Sequence, residues 1–516
     1  MINENILSQP HQSDPYGVRL VFIVPKTHVK AVKSALEHHR RFDRYHGISP
    51  EPKDKTIPSS NGSDETKEVQ RMRVPTTISH TIEDDELGLN FKKPILLAEL
   101  HLDHLSPSRD VILSSWNPSK TRRPVAVERN PLRKALREAL EHLPSGTLAN
   151  LNITIDTLVF AFPGAYSVYK PLLLLPSNSI DQIRDSIISE HAELLQPIWH
   201  HMAKSLHCTH IALNSPIPPS NTPSSSHAQD SSNILRSPVN LTPIYGSFGP
   251  TPTPQTLSHP TAQDFTETLW VRTTQNDIHQ TWAPLYTMFS RGNVKEKARM
   301  LHLPSVTYLA KEGEEATAVD MYAGIGYFSF SYRKAGIQQV LCWELNPWSV
   351  EGLRRGARLN GWSSRIFTLA DVPEEIAPNS EWEMWRQGVV GGNEDFWIFQ
   401  MSNDTASCIL KCLRANLPPI RHVNLGLLPV SRPSWPSAVR ALDRMRGGWI
   451  HAHENIGVHE IDERELEIGA EFQRLVDEAQ TEEGEKKKVR VDHVEKVKMY
   501  APGVVHTVFD VHVGKA

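Results

Sequence analysis

Four cysteines in 516 residues, Cys208, Cys342, Cys408 and Cys412, form no Cys-x-x-Cys pair. A disulfide framework and a thiolate zinc site are therefore not expected, and the chain reads as a protein of a reducing, cytoplasmic compartment. Long apolar runs are also lacking. None approaches the roughly 20 residues that a membrane-spanning helix needs, and mean hydropathy is −0.39. No membrane association is expected. The opening "MINENILSQPHQSDPYG" has neither a basic n-region nor an apolar h-region, so no secretory signal is read there. An excess of one charge is missing too: 55 Lys+Arg stand against 59 Asp+Glu, a net charge of −4. This excludes binding of nucleic acid by overall charge alone.

The charge is unevenly spread. Residues 19–44 carry seven bases and two acids, and residues 120–140, with Arg133, Lys134 and Arg137 among them, again seven against two. Residues 460–485 carry eleven acids and two bases. The basic segments suit either phosphate contact or a solvated helix face. Residues 215–260 contain ten Pro and ten Ser and few apolar groups. Such a composition offsets little ordering entropy and reads as a linker, 215–262. It divides an N-terminal region, 1–214, interrupted by a polar gap at 49–70, from a C-terminal domain, 263–516. In the latter, 263–300 is a leading segment and 301–516 the core.

That core alternates strand and helix patterns. Strands are expected at Ala316–Tyr322, Gln338–Glu344, Arg365–Ala370, His422–Leu428 and Gly448–Glu454, with a C-terminal hairpin about Ala501-Pro502-Gly503. The helix "NPWSVEGLRRGARLNG" has Asn346 to cap it, Pro347 in its first turn and Gly361 to end it. Alternation of this kind predicts a doubly wound α/β fold with a mostly parallel sheet. Ligands in such folds sit at the carboxyl ends of the strands.

The stretch "VDMYAGIGYFSF" runs from an apolar strand through Asp320 into Gly324 and Gly326. Glycines there let backbone amides approach a ligand, and the helix start that follows favours negative charge. A dinucleotide fingerprint, G-x-G-x-x-G/A, fails at its last position, where this chain has Ser329. An acid at the end of the first strand followed by G-x-G suits S-adenosylmethionine. Glu344, 24 residues further on, ends the next strand and suits the two ribose hydroxyls; Asp371 ends "RIFTLAD" and suits the adenine amino group. The alternative is an empty doubly wound domain with surface acids.

Several segments resemble the tRNA wybutosine-synthesizing enzyme 2 family. They are "MFSRGNVKEKAR", "DMYAGIGYF", "WELNP", "VNLGLLP", "GGWIHAHENI" and "VKMYAP". The likeness spans nearly all of 263–516 and extends into "VKSALEHHRRFD" and "YSVYKPLLLLPSNSI". It implies a class I methyltransferase-like Rossmann fold behind a mixed α+β N-terminal region. It also implies transfer of the 3-amino-3-carboxypropyl group of S-adenosylmethionine to C7 of 4-demethylwyosine at position 37 of phenylalanine tRNA. It places Ser290 and Lys297 at the methionine end of the donor, Glu344 on the ribose, and Asp371 with Val372 near the adenine. The family often has Asn after the strand-three Asp, where this chain has Val372. About fifty residues separate Asp371 from Asn424, with "PNSEWEMWRQGVVGGNEDFW" as an apparent insertion.

Asn424 is the candidate for orienting the substrate base. His451 and His453 share a face of their strand, and His453 is the candidate proton acceptor, the alternative being histidines satisfied within the sheet. Tyr327 and Phe328 suit either a ligand or a helix core. The expected partner is the anticodon arm of phenylalanine tRNA, and no obligate protein partner is indicated. N1-methylation of guanine 37 and a non-catalytic RNA-binding scaffold are the competing functions.

Overall fold

The computed structural model describes residues 18–39, 41–43, 47–51, 70–79, 86–116, 128–143, 154–179, 192–214, 238, 241–289, 291–373, 380–479 and 486–515. Two compact units result, Met1–Lys134 with Gly146–Ala161, and Ala135–Ser145 with Phe162–Ala516.

In the first unit, β1 (Arg19–Pro25), β2 (Ser49–Pro50), β3 (Arg71–Ser79) and β4 (Ile112–Trp116) form an antiparallel sheet ordered β2-β3-β1-β4. Leu20, Phe22 and Val24 alternate onto one face of β1. They meet Val32 and Leu36 of the helix Val29–His38, and Leu96 and Leu97 of the helix Glu86–Glu99.

The second unit begins with β5 (Ser167–Tyr169), β6 (Leu172–Pro176), β7 (His210–Asn214) and β8 (Leu241–Tyr245), one sheet in that order. Part of the stretch read as a linker is therefore structured. Two short helices follow, Pro254–Ser258 and Ala262–Glu267, and each starts with a capping box, on Thr253 and on Thr261. The indole N–H of Trp348 donates to the Thr256 carbonyl (2.7 Å), and the Tyr286 hydroxyl to that of Pro250 (2.8 Å). Composition counts the scarcity of apolar groups; it does not count caps that satisfy a short helix from its own threonines. Residues 215–237 lie outside the described part.

After the hairpin of β9 (Val271–Gln275) and β10 (Ile278–Trp282) comes an eight-stranded sheet. Its strands are β11 (Thr317–Asp320), β12 (Gln339–Trp343), β13 (Ser364–Thr368), β14 (Phe396–Gln400), β15 (Ile420–Leu425), β16 (Gly448–Gly457), β17 (Lys487–Ala501) and β18 (Val504–Lys515). The order is β13-β14-β12-β11-β15-β16-β18-β17, with the first six parallel and the final hairpin antiparallel. The expected Rossmann-like core and hairpin are present. The strand not foreseen is β14. It lies between β12 and β13, so the strand carrying Asp371 sits at the sheet edge. Strand β17 forms the other edge, and its pairing with β18 shifts register at three places. The helix Pro347–Leu359 is capped as read: Asn346 accepts the Trp348 amide (2.9 Å), and Gly361 follows at φ +78°.

One face of β15, β16 and β18 carries Val423, Leu425, Ile450, Ala452, Phe509 and Val511 into the largest apolar core. The opposite face is polar, with His422, Asn424, His451, His453, His506 and Asp510 all buried. The helix Val294–Leu301 shares an ion network with it. Arg299 grips both oxygens of Asp510 and of Glu296, and Asp510 Oδ1 also takes His451 Nδ1 at 2.6 Å. His451 Nε2 lies 3.1 Å from His422 Nδ1, and His422 Nε2 lies 3.2 Å from the Ser305 carbonyl. Both ends of this chain are acceptors, so its three bonds need three protons on four ring nitrogens, one more than two neutral imidazoles carry. Burial, with His451 beside it, holds His422 well below the usual histidine range. Burial alone would raise the Asp510 carboxyl, but His451 and Arg299 outweigh it and hold it well below the usual range.

Replacing Asp510 removes the carboxylate that Arg299 and His451 share and leaves Arg299 buried with Glu296 alone. Asp510→Ala should destabilise the fold by about 3–5 kcal/mol, read as a lower urea midpoint. A depressed carboxyl stabilises fully above its unfolded value, near 4, and the gain is lost as pH falls toward the folded value. The variant should therefore lose stability less steeply on acidification than the parent does. Parallel acid profiles with unchanged midpoints would show that the network carries no net stability.

Candidate active site

Strands β11, β12 and β15 end side by side, and three side chains at those ends define the site. Asp320 is fully buried. Its Oδ1 accepts the Tyr322 amide (3.3 Å) and the Asn424 side-chain amide (3.0 Å), and its Oδ2 accepts the Ser329 hydroxyl (2.7 Å). Burial pushes its carboxyl up, and these donors oppose the rise. Asp320 thus holds the glycine loop and Asn424 in place, rather than opening toward a ligand.

The loop itself needs its glycines. Gly324 has φ +55° and Gly326 φ +88°, and a Cβ on Gly326 would come within 2.6 Å of the Phe330 ring. Glu344, half-buried, closes the loop onto the second strand. Its Oε2 accepts the Gly324 amide and its Oε1 the Asn346 amide, both at 2.8 Å. Burial raises its carboxyl, and the two amides pull the other way. The Leu345 amide acts on the same carboxylate, which keeps room for a further donor.

Asn424 donates to Asp320, which fixes the orientation of its amide, and its Oδ1 is buried without a hydrogen-bond partner. An orphaned buried acceptor of this kind suits an N–H arriving with a ligand. Beside Asn424, the ring of Phe328 lies edge-on to His453 at 4.9 Å, and Phe328 is buried in the core.

Lys297, on the helix Val294–Leu301, is 3% exposed. Its ammonium donates to the side-chain carbonyls of Gln275 and Gln280, the latter at 3.0 Å. The rings of Phe289 and Tyr327 lie 5.5 and 5.4 Å away. Among the described residues no carboxylate pairs with it, and burial pulls its pKa down to about 8. A buried cation held only by amide oxygens and aromatic faces suits an incoming anion such as an amino-acid carboxylate.

The chain is similar to several known proteins. Residues 281–391 match the TRM5/TYW2 methyltransferase domain family. Over 364 residues the chain is 35% identical to tRNA wybutosine-synthesizing protein 2 of Schizosaccharomyces pombe, covering 70% of this chain and 75% of the relative. The chain belongs to the tRNA wybutosine-synthesizing protein 2 family. The Saccharomyces cerevisiae protein of the same name is 29% identical over 405 residues, 71% of this chain and 77% of its own. A crystal structure of Pyrococcus horikoshii TYW2 in complex with MeSAdo is 19% identical, with a TM-score of 0.43 over 74% of this chain and the whole of that one.

The structure thus gathers Lys297, Gly324, Gly326, Glu344 and Asn424, with Asp320 behind them. Ser290 lies outside the described residues. Asp371 and Val372 follow β13, which β14 separates from β12. Asp371 Oδ2 caps its own short turn, accepting from the Thr368 amide (2.7 Å) and hydroxyl (2.8 Å), on the edge strand β13. Val372 lines an apolar cavity of roughly 440 Å³ with Leu369, Trp382, Met401 and Cys408. The strand that pairs with β12 is β14, and it ends in Ser402-Asn403-Asp404. There the Asn403 side-chain amide donates to the Met321 carbonyl just past β11 (2.9 Å). This tripeptide occupies the place that sequence reasoning gave to Asp371. The signal for it was the excess length between Asp371 and Asn424, together with an Asn-Asp pair closing the apolar run "FWIF".

Affinity for S-adenosylmethionine should fall as pH rises through about 8, where the free protein loses the Lys297 charge. The donor's own amino group titrates near there, so the comparison is with Lys297→Met. That variant should bind roughly ten- to 150-fold more weakly near neutral pH, as loss of about 1.5–3 kcal/mol implies, and with a flatter pH dependence. 5′-Methylthioadenosine, which has no carboxylate, should bind both proteins alike. Identical pH slopes for S-adenosylmethionine on the two proteins, by calorimetry, would show that Lys297 does not grip the carboxylate.

Proposed function

We propose that this protein transfers the 3-amino-3-carboxypropyl group of S-adenosylmethionine to C7 of 4-demethylwyosine at position 37 of phenylalanine tRNA. Membership of the family supports the reaction, and buried Lys297 is the feature of the site that supports it most directly. A sulfonium has three electrophilic carbons, and the one that reacts is the one held in line with the nucleophile, about 3–3.5 Å away. Fixing the carboxylate at Lys297 fixes the methionine arm, which is what presentation of its γ-carbon requires. Glu344 takes the ribose hydroxyls where the amides of Gly324, Leu345 and Asn346 leave room. The segment Ser402–Asp404 replaces Asp371 on the adenine side. Asn424 Oδ1 accepts an N–H of the substrate base and sets its orientation.

The substrate is a tRNA, and the basic segments 19–44 and 120–140 supply its phosphate contacts, which position without reading sequence. Lys134 and Arg137 stand on the helix Pro131–Glu141. Reversing both to Glu should weaken tRNA binding and flatten its salt dependence, with S-adenosylmethionine binding unchanged. Wild-type tRNA affinity across a salt titration would make this a solvated helix face.

The reaction is decided by the nucleoside left behind. Arm transfer yields 5′-methylthioadenosine, and methyl transfer yields S-adenosylhomocysteine. Mass spectrometry should show the former in step with aminocarboxypropylated tRNA. Label in the methionine carboxyl should enter tRNA, and label in the S-methyl should not. The reverse pattern would make the protein a methyltransferase.

A further inference from the structure

Attack by a ring carbon on the donor leaves that carbon with a proton to lose, and the site as described so far holds nothing to take it. Asp320 has its lone pairs engaged, Glu344 closes the loop, and Lys297 is a cation. The polar face of the sheet offers a pair that none of these roles uses. His453, on β16, lies one residue beyond Ala452, which pairs with Leu425 next to Asn424. Its Nδ1 is 3.0 Å from Nε2 of His506, on β18. Both rings are buried, and the two outer nitrogens, His453 Nε2 and His506 Nδ1, have no hydrogen-bond partner. A histidine pair satisfied within a sheet would have those ends capped, as the His422–His451 pair does with Ser305 and Asp510.

We propose that His453 is the proton acceptor of the transfer and that His506 is its positioning residue. This rests on the reading of the reaction given above. With a proton on His506 Nδ1, His506 Nε2 accepts from His453 Nδ1–H, and that bond leaves a bare lone pair on His453 Nε2. The step balances as follows. The ring carbon forms a bond to the γ-carbon of the arm, and the sulfur–γ-carbon bond breaks with its electron pair going to sulfur. The ring carbon's proton then passes to His453 Nε2, and the base regains its aromatic electrons. The resulting imidazolium keeps its Nδ1–H bond to His506 and loses the added proton to water when the product leaves.

The surroundings suit a neutral acceptor. Burial, then His506 and His451, hold His453 well below the usual histidine range; Arg299 lowers it further, and Asp510 alone opposes them. His506 is lowered to about 4 by burial and by Lys498 opposite it on β17. Each ring is therefore neutral, with one N–H, at pH near neutral. A weak base suffices here, because the cationic adduct that gives up the proton is strongly acidic.

The test uses full-length protein and hypomodified tRNA, with the reacting carbon of the base carrying protium or deuterium. No primary isotope effect is expected of the wild type, in which the proton leaves after the carbon–carbon bond has formed. His453→Asn should lower kcat by roughly 10²- to 10⁴-fold, the usual worth of a positioned base, and should reveal a primary isotope effect. Affinities for S-adenosylmethionine and tRNA should stay within about twofold. His506→Phe, which keeps ring volume, should lower kcat less and show the same isotope effect; His453→Gln serves if His453→Asn melts early. A folded, ligand-binding His453 variant with wild-type kcat and no isotope effect overturns the proposal. The wild-type by-product tests the reaction reading separately. Should it be S-adenosylhomocysteine, that reading falls, and the pair is judged by the loss of kcat for the methyl transfer in the same variants.

Discussion

The buried carboxylate of Asp320 is the point on which the site is built. It stands at the end of β11, in the middle of the sheet, and receives the Tyr322 amide, the Ser329 hydroxyl and the Asn424 side chain. These donors belong to the loop, to the helix after it and to the neighbouring strand. A buried anion cannot tolerate unmet lone pairs, so each donor is held in one place. The loop then has one path through Gly324 and Gly326, and its amide meets Glu344 across the gap to β12. The orientation of Asn424 follows from the same bond that leaves its carbonyl unpartnered. One group at zero exposure thus sets the donors and acceptors of several others.

The sheet divides its chemistry by face. On one side the strands carry apolar residues into the main core, and on the other the last strands are polar and buried. The helix Val294–Leu301 buries Glu296 and Lys297 together with Met300. It tolerates this because Glu296 is paired with Arg299, while Lys297 faces amide oxygens and aromatic rings.

Local patterns carried much of this in the amino-acid sequence. A strand ending in Asp, a glycine pair and a second strand ending in Glu are readable because each is a contiguous signal. The Asn346 cap and the final hairpin were legible for the same reason. What failed was pairing. "RIFTLAD" is read as the third strand and "FWIFQMSND", likewise an apolar run closed by an acid, is not, and only the sheet shows that the second lies against β12. Burial was equally hidden. "VKEKARML" looks like a solvated helix, since periodicity assumes that an inner face is apolar, and here the inner face meets histidines and carboxylates. His506 carries no local signal at all; its partner is 53 residues away along the chain.

The edge strand β17 has a consequence of a different kind. It runs for 15 residues with no strand paired to its outer side among the described residues, and a straight strand of that length is a template for a strand of another molecule. Three shifts of register against β18 interrupt the even spacing of its free amides and carbonyls. Lys487, Lys488, Arg490, Asp492, Glu495, Lys496 and Lys498 charge nearly its whole length. An approaching strand finds no continuous ladder to join and would have to desolvate those charges. The irregular hairpin thereby protects the protein from edge-to-edge aggregation at the concentrations met during synthesis and folding.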